Sequence, residues 1–301
     1  MEIRVLRETD KEACADLWQQ CFSDSASFVK WFFTDRYCPV YSACIEENGV
    51  LLCALHGYPF SVRIRDFTVP GAIIAGVSTH PQHRGKGLMK KLMAFEMQNL
   101  RQLGCAAVTH TPVDIAVYRS CGHFPCTDSL FFRLTEPISL STSPVFTDTV
   151  SQVLLRQLLL CYQNFSEHYS GIIARTAADM RLKTEDYFSD SMKLTYITEK
   201  ETVSAYAFYK EEEDLISVEE IIYGTEQEAL RLLAGLQATV PGKKIEGKLP
   251  PNFKSTACFC EREKKPQAVM GLVNPEPILS LLQAELPPIR LEDRLVPQNN
   301  M

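Results

Sequence analysis

No apolar run in the 301 residues approaches the ~18 needed to cross a bilayer as a helix. The first residues, MEIRVLRETDKEAC, lack the apolar core of a secretion signal and read instead as a first strand and helix. Basic charge is not in excess. Thirty-one Lys and Arg stand against 37 Asp and Glu, a net charge of -6, which argues against a nucleic-acid-binding face. Eleven cysteines contain no CxxC, the closest pair being Cys258 and Cys260, and no His/Cys cluster has zinc-ligand spacing, so no metal is expected. Most, such as Cys44, Cys53 and Cys105, sit in apolar runs and read as buried reduced thiols of a cytoplasmic protein. Two phosphate signatures are missing as well. GxxxxGK[ST] is absent, and in GKGLMK a GxGxxG fingerprint would need glycine where Lys90 stands.

What is present is enough apolar residue, 46%, and charge, 23%, for about two packed domains. The first half reads as strand at Ile3–Val5, then a helix capped by Thr9 or Asp10. A second helix, started by Ser25 or Ser27, carries Phe28, Trp31, Phe32 and Phe33. Strand runs YSACIEE, VLLCALHGYPFSVRI (after an Asn48-Gly49 turn) and AIIAGVST follow. A helix from about Gly85 to Leu103 is ended by Gly104. Strand CAAVT, a short helix near Asp114–Ser120 and strand SLFFRL complete the order β-α-α-β-β-β-α-β-α-β. Composition shifts at Thr135–Thr149, TEPISLSTSPVFTDT, which reads as a linker. Beyond it come a helix near Val150–Asn164, strands MKLTYIT and TVSAYAFYK joined by a Glu-Lys-Glu turn, strand DLISVEEIIYG and helix TEQEALRLLAGLQATV. The strand-helix pair at 214–240 echoes the pair at 72–103 without its glycine-rich basic turn. A tail from about Gln267 holds one helix, PEPILSLLQAEL.

The chemistry concentrates in THPQHRGKGLMKKLM, Thr79–Met93. Gly85 and Gly87 lack Cβ atoms where strand reverses into helix, so the backbone can approach a ligand closely. The first amides of the following helix have no intrahelical partner, and the helix dipole makes that end partly positive. Arg84, Lys86, Lys90 and Lys91 add attraction for phosphate. The combination suits a pyrophosphate. Leu88, Leu92, Phe95, Leu100 and Leu103, with Met89 and Met93, form the apolar stripe that would seat the helix.

Gln82-x-x-Gly85-x-Gly87 after a strand is similar to the Q/R-x-x-G-x-G/A pattern of the GCN5-related N-acetyltransferases (GNAT). VDIAVYRSCGHF, Val113–Phe124, resembles the stretch where that superfamily places a proton-donating tyrosine, here Tyr118. The whole arrangement resembles the enhanced intracellular survival (Eis) type, strongest from Gly76 to Gly122 and weak after Leu134. AVMGLV at Ala268–Val273 looks like that family's junction to a third domain.

The resemblance implies an α/β fold with an α+β mixed sheet, made of tandem GNAT units. Residues 1–140 would form the active acetyl-CoA-binding catalytic domain, 141–267 a degenerate GNAT-like domain, and 268–301 a tail in place of the sterol-carrier-like third domain. It further implies transfer of an acetyl group from acetyl-CoA to an amine, polyamine-like, aminoglycoside-like or lysine, by direct attack. The backbone of Val77, Ser78 and Thr79 would line the pantetheine arm, with the Val77 amide steadying the oxyanion. Arg84, Gly85, Lys86, Gly87, Leu88, Met89 and Lys90 would hold the pyrophosphate, and Val113 and Asp114 would flank the thiol. A homo-oligomer, trimer or hexamer, goes with the type; a nucleic-acid or membrane partner does not. Phe28, Trp31, Phe32, Phe33 and Tyr37 would wall a substrate pocket between the domains, or pack as helix-face core.

The base is left open. AIIAGVST has no glutamate, and the candidates are the Met301 carboxylate, His110, His123, Glu46 and Asp114. The alternatives to an enzyme are a non-catalytic acyl-CoA-binding or regulatory protein, and a lipid-carrier-like binding protein. The second half's turn, IIYGTEQEA, keeps strand and helix without the glycine turn, so one cofactor site per chain is expected.

Overall fold

In the computed structural model, the apolar runs and helical periodicities resolve into one mixed sheet of 13 strands with helices on its faces. Residues 1–134, 136–140, 142–255 and 259–285 are described. The first unit runs β1 (Glu2–Val5), α1 (Lys11–Cys21), α2 (Ala26–Trp31), β2 (Ala43–Glu47), β3 (Val50–Ile64), β4 (Phe67–Thr79), α3 (Leu88–Gln102), β5 (Ala107–His110), α4 (Ile115–Arg119) and β6 (Phe124–Leu134). That is the element order read from the sequence. The second runs β7 (Val145–Thr147), α5 (Gln152–Ser166), β8 (Ile172–Ala174), α6 (Ala177–Ser189), β9 (Lys193–Glu199), β10 (Thr202–Glu211), β11 (Leu215–Tyr223), α7 (Glu226–Thr239), β12 (Lys244–Leu249), β13 (Phe259–Leu272) and α8 (Glu276–Glu285).

The strands lie in the order β1-β2-β3-β4-β5-β13-β6-β12-β11-β10-β9-β7, with β8 joined to β3. Backbone hydrogen bonding explains the feature that the sequence hid. β13 comes from the end of the second unit yet lodges between β5 and β6, pairing Val269 with His110 on one side and Lys264 with Leu130 on the other. AVMGLV is therefore part of a strand that satisfies two otherwise open edges. The stretch read as a linker likewise contains β7, paired with β9.

The central strands are apolar on both faces because helices cover both. On β3, Cys53 and Leu55 face α3 together with Leu88, Leu92, Met93 and Leu100. Ala54 faces the opposite side with Trp18, Val29, Phe32 and Phe33 from α1, α2 and the turn after it. Burying each large side chain of the α3 stripe contributes about 1.5–3 kcal/mol, which fixes the helix whose N-terminus matters below. The second unit repeats the plan: β9-β10-β11-α7-β12 matches β2-β3-β4-α3-β5, with both helices crossing between parallel strands. A larger core, which includes Leu130, Phe132 and Leu134 of β6, surrounds Tyr206, Phe208 and Leu232.

Candidate active site

β4 and β5 pair in parallel only from Gly71–Ile73 to Ala107–Thr109, while β4 runs on to Thr79. β5 ends at His110, so the β5-facing edge of β4 beyond Ile73 is left without that partner. On its other edge β4 carries a bulge: Ala75 pairs with His56 and Ser78 with Ala54, so Gly76 and Val77 together oppose Leu55. Gly76 sits at φ +54°, and a Cβ there would lie 1.9 Å from the Trp18 ring. Only glycine permits both the backbone angle and the indole lying directly on the strand.

Past Thr79 the chain makes a single turn at Pro81–His83, then passes Gly85 at φ +75° and Gly87 at φ +73° into α3. Nothing lies within 4 Å of a Cβ built on either glycine. The left-handed angle requires them, and the space in front of them is open. Gly87 is the N-cap of α3, with no side chain capping it and no acidic residue in the first turn. Leu88 is buried in the core, so only its amide is available to a ligand, while Arg84, Lys86 and Lys90 are exposed.

The equivalent helix of the second unit is the internal control. At α7, Thr225 and Glu228 form a reciprocal capping box, with the Thr225 amide donating to Glu228 Oε2 at 2.7 Å, and Glu226 and Glu228 put two acids in the first turn. The Thr225 and Glu228 amides are satisfied, and the two carboxylates oppose the positive end of the helix dipole. Tyr223, at the end of β11, is covered by the rings of Phe165 and Phe253. One unit has an open, uncapped helix start and the other has a capped one.

Thr79 ties the cradle to the sheet. Its carbonyl accepts from Arg84 Nε at 3.2 Å and Cys21 Sγ at 3.4 Å, and its hydroxyl meets Cys53 Sγ at 3.3 Å. Ser78 is buried, with its hydroxyl donating to the Ala54 carbonyl, so it offers backbone rather than side chain to the cleft. Val113 is fully exposed, and Asp114 caps α4 by accepting from the Ala116 amide at 2.8 Å. Tyr118 packs against the α3-side core, and burial pushes its phenol up to about 12.

Among the candidate bases, His110 Nε2 and His123 Nδ1 are hydrogen-bonded at 2.9 Å. Desolvation holds His110 down to about 3 and lowers His123 as well, so the pair is neutral. The His110 ring stacks edgewise on Tyr118 at 4.3 Å, which makes the pair a buttress for the phenol. Glu46 is engaged by Arg4, which also holds Asp10. Met301 lies outside the described residues. His80 and His83 stay on the turn: His80 caps it and His83 meets Lys86 Nζ. The described residues hold no group of three or more His, Cys, Asp or Glu able to bind a metal.

The aromatic set divides. Phe32 and Phe33 are buried against Trp18 and His56, while Phe28, Trp31 and Tyr37 cover the same cluster from outside. α2 then meets α6 of the second unit, with Ser27 Oγ donating to the Ser189 carbonyl at 2.8 Å. Two participants escaped the sequence reading. Trp18 gives no signal in sequence, since its role is contact with Gly76. α6 was missed despite the Thr176-x-x-Asp179 capping box that could have announced it.

Residues 2–125 match the family model described as an acetyltransferase (GNAT) domain. The first unit is thus similar to the GNAT acetyltransferase domain. Solved structures extend the likeness to the second unit. A probable N-acyltransferase of unknown function from Enterococcus faecalis superposes with a TM-score of 0.75 at 16% identity, covering 92% of this chain and 74% of that one. Eis1 from Mycobacterium abscessus does so with a TM-score of 0.67 at 16% identity, covering 93% and 75%. A GCN5-related N-acetyltransferase from Anabaena variabilis gives 0.71, again at 16% identity, covering 91% and 73%. At these identities the likeness speaks for fold: the chain has the tandem GNAT architecture of Eis-like proteins. A search of curated proteins gives no sequence match. No helix among the described residues is long and apolar enough to cross a membrane.

Proposed function

We propose that this GNAT acetyltransferase moves an acetyl group from acetyl-CoA to a primary amine by direct attack, at one site in the first unit. The observation that carries this is the uncapped, acid-free N-terminus of α3 behind two open left-handed glycines, set beside the edge of β4 that runs on past its pairing with β5. The fit to acetyl-CoA is a matter of donors. The amides from Gly85 to Lys90, with Arg84, Lys86 and Lys90, match a pyrophosphate. The free edge of β4 at Val77, Ser78 and Thr79 matches an amide-bearing arm, and Val113 and Asp114 flank its end. Bound there, acetyl-CoA supplies the thioester.

The Val77 amide, in the bulge, is the donor for the thioester oxygen, and fixed donors of this kind are worth several kcal/mol. Tyr118 keeps its proton at neutral pH because burial raises its phenol. A phenol near 12 is a weaker acid than a free thiol at ~8.5. Full transfer before bond breaking therefore runs uphill, and the O–H first donates a hydrogen bond to sulfur, its proton moving as charge develops in a surround that raises the thiol's pKa too. The pair His110 and His123 keeps the ring in place. The reading includes the division at 140/141, a trimer or hexamer, and a cytoplasmic setting, while β13 runs unbroken through the expected boundary at 267/268.

Thiol release from acetyl-CoA against polyamines, aminoglycosides and peptides tests the reading, for wild type and Tyr118→Phe. The expected outcome is turnover on at least one amine, reduced by about 10²–10⁴-fold in the variant. Tight acetyl-CoA binding without turnover on any amine would favour a non-catalytic acyl-CoA-binding protein. Equal rates for the two proteins would remove Tyr118 from the mechanism.

A further inference from the structure

His56 is the most anomalous polar group in the first unit. It is 1% exposed, and neither Nδ1 nor Nε2 has a hydrogen-bond partner among the described residues. Four rings surround it: Phe33 at 5.2 Å, Trp18 at 5.5 Å, Phe32 at 5.7 Å and Tyr37 at 6.0 Å between centroids. An imidazole in such a cage forfeits water without gaining a partner, and a hydrocarbon ring would fill the space at less cost. Trp31, which packs in the same cluster through Phe28 and Phe32, carries a second orphaned buried donor at Nε1.

The position is equally specific. His56 pairs with Ala75, immediately before the Gly76–Val77 bulge, and alternation along β3 puts its ring on the α1 and α2 side, opposite α3. The cradle occupies the α3 end of β4, so His56 and its rings stand on the opposite, α1 and α2 face, beside the bulge that Trp18 covers. The rings that close over His56 are held by an unusual turn. Phe32–Arg36 is π-helical, with the Tyr37 amide bonded to the Phe32 carbonyl at 2.8 Å, five residues back. The wide turn brings Phe32, Phe33 and Tyr37 onto one ring at once. Such π-turns are costly and concentrate at functional sites.

We propose that His56 is the acceptor-side residue of the active site: its unpartnered ring nitrogen accepts an N–H hydrogen bond from the attacking amine and aims the nitrogen lone pair at the thioester held at Val77, with Phe32–Tyr37 moving aside to admit it. This deepens the acetyl-transfer reading and rests on it. In the step, the amine nitrogen bonds to the acetyl carbon, the carbon–sulfur pair leaves with sulfur, and the nitrogen ends with one proton fewer and the sulfur with one more. His56 orients and is not consumed. Burial holds the imidazole near 3, so it stays a neutral acceptor at working pH and selects an amine presenting N–H with its lone pair free.

The test separates structure from function. His56→Phe and His56→Leu remove the orphaned nitrogens, and His56→Gln keeps an acceptor. The hydrocarbon variants should melt on the order of 3 °C higher and bind acetyl-CoA as wild type does, yet lose at least tenfold in kcat/KM for the amine turned over fastest, with the Gln variant intermediate. In wild type, the ¹⁵N resonances of the His56 ring should shift when that amine is added with CoA. Wild-type kcat/KM in His56→Phe or His56→Leu, or ring resonances that do not move, would overturn the inference while leaving the transfer reading intact. A wild type that turns over no amine would overturn the transfer reading and this inference with it.

Discussion

Replacing Gly76 with alanine strikes the site through geometry alone. Two costs are separable. At φ +54° a Cβ crowds the backbone, which costs about 1–2 kcal/mol for a residue other than glycine. The added carbon also lies 1.9, 2.4 and 2.5 Å from three atoms of the Trp18 ring. The indole has nowhere to go: its Nε1–H donates to Asp24 Oδ2 at 2.7 Å, and Phe22, Phe32 and Phe33 pack around it within 5.8 Å. Overpacking of this kind costs about 1–3 kcal/mol, so the variant should lose roughly 2–5 kcal/mol. Trp18→Leu relieves only the second cost. In a double-mutant cycle by urea unfolding, Gly76→Ala made in the Trp18→Leu background should cost about 1–3 kcal/mol less than in wild type. Because the bulge sets the Val77 amide, calorimetry should also show acetyl-CoA binding weakened at least tenfold. A Gly76→Ala protein within about 0.5 kcal/mol of wild type, or a cycle with no coupling, would refute the packing account of the bulge.

Gly87→Ala has open space around it and faces only its φ of +73°, so about 1–2 kcal/mol of stability should go together with acetyl-CoA affinity. Gly171→Ala, at φ +82° and equally open, should match the stability loss in thermal melts and leave affinity unchanged in calorimetry. Glu96, fully buried on α3, is held up at about 8 by desolvation, with Asn99 its hydrogen-bond donor. Its raised folded pKa means the native state keeps a proton that the unfolded chain releases. That stability is complete below about pH 4.5, falls as pH rises and is gone above about 8. Glu96→Gln should therefore flatten the decline between pH 5 and 8 in urea unfolding and stabilise the protein by a few kcal/mol at pH 8; an unchanged slope would refute it.

The cradle was legible in the sequence because its chemistry is local. A strand, two glycines needing left-handed angles and an amphipathic helix lie within Thr79–Met93, and each follows from residue type and spacing. The choice of Tyr118 rests on resemblance of its neighbourhood, and the missing glycine turn of the second unit corresponds to a helix start closed by the Thr225–Glu228 box. The order of elements up to β6 also followed, since periodicity is a property of short stretches.

Tertiary structure alone decided the rest, because it depends on groups far apart in the chain. β13 fills the gap between β5 and β6 to satisfy edges whose partners lie more than a hundred residues away. Trp18 explains Gly76 only when α1 lies on β4. His56 reads as one more residue of an apolar strand until four rings, one from α1 and three from the π-helical turn, close on it and leave both nitrogens without a partner among the described residues. The sequence by itself determined the glycine turn and the helix that follows it. The fold determined what stands opposite it, since hydrogen bonding, burial and steric contact between distant segments exist only once the sheet has formed.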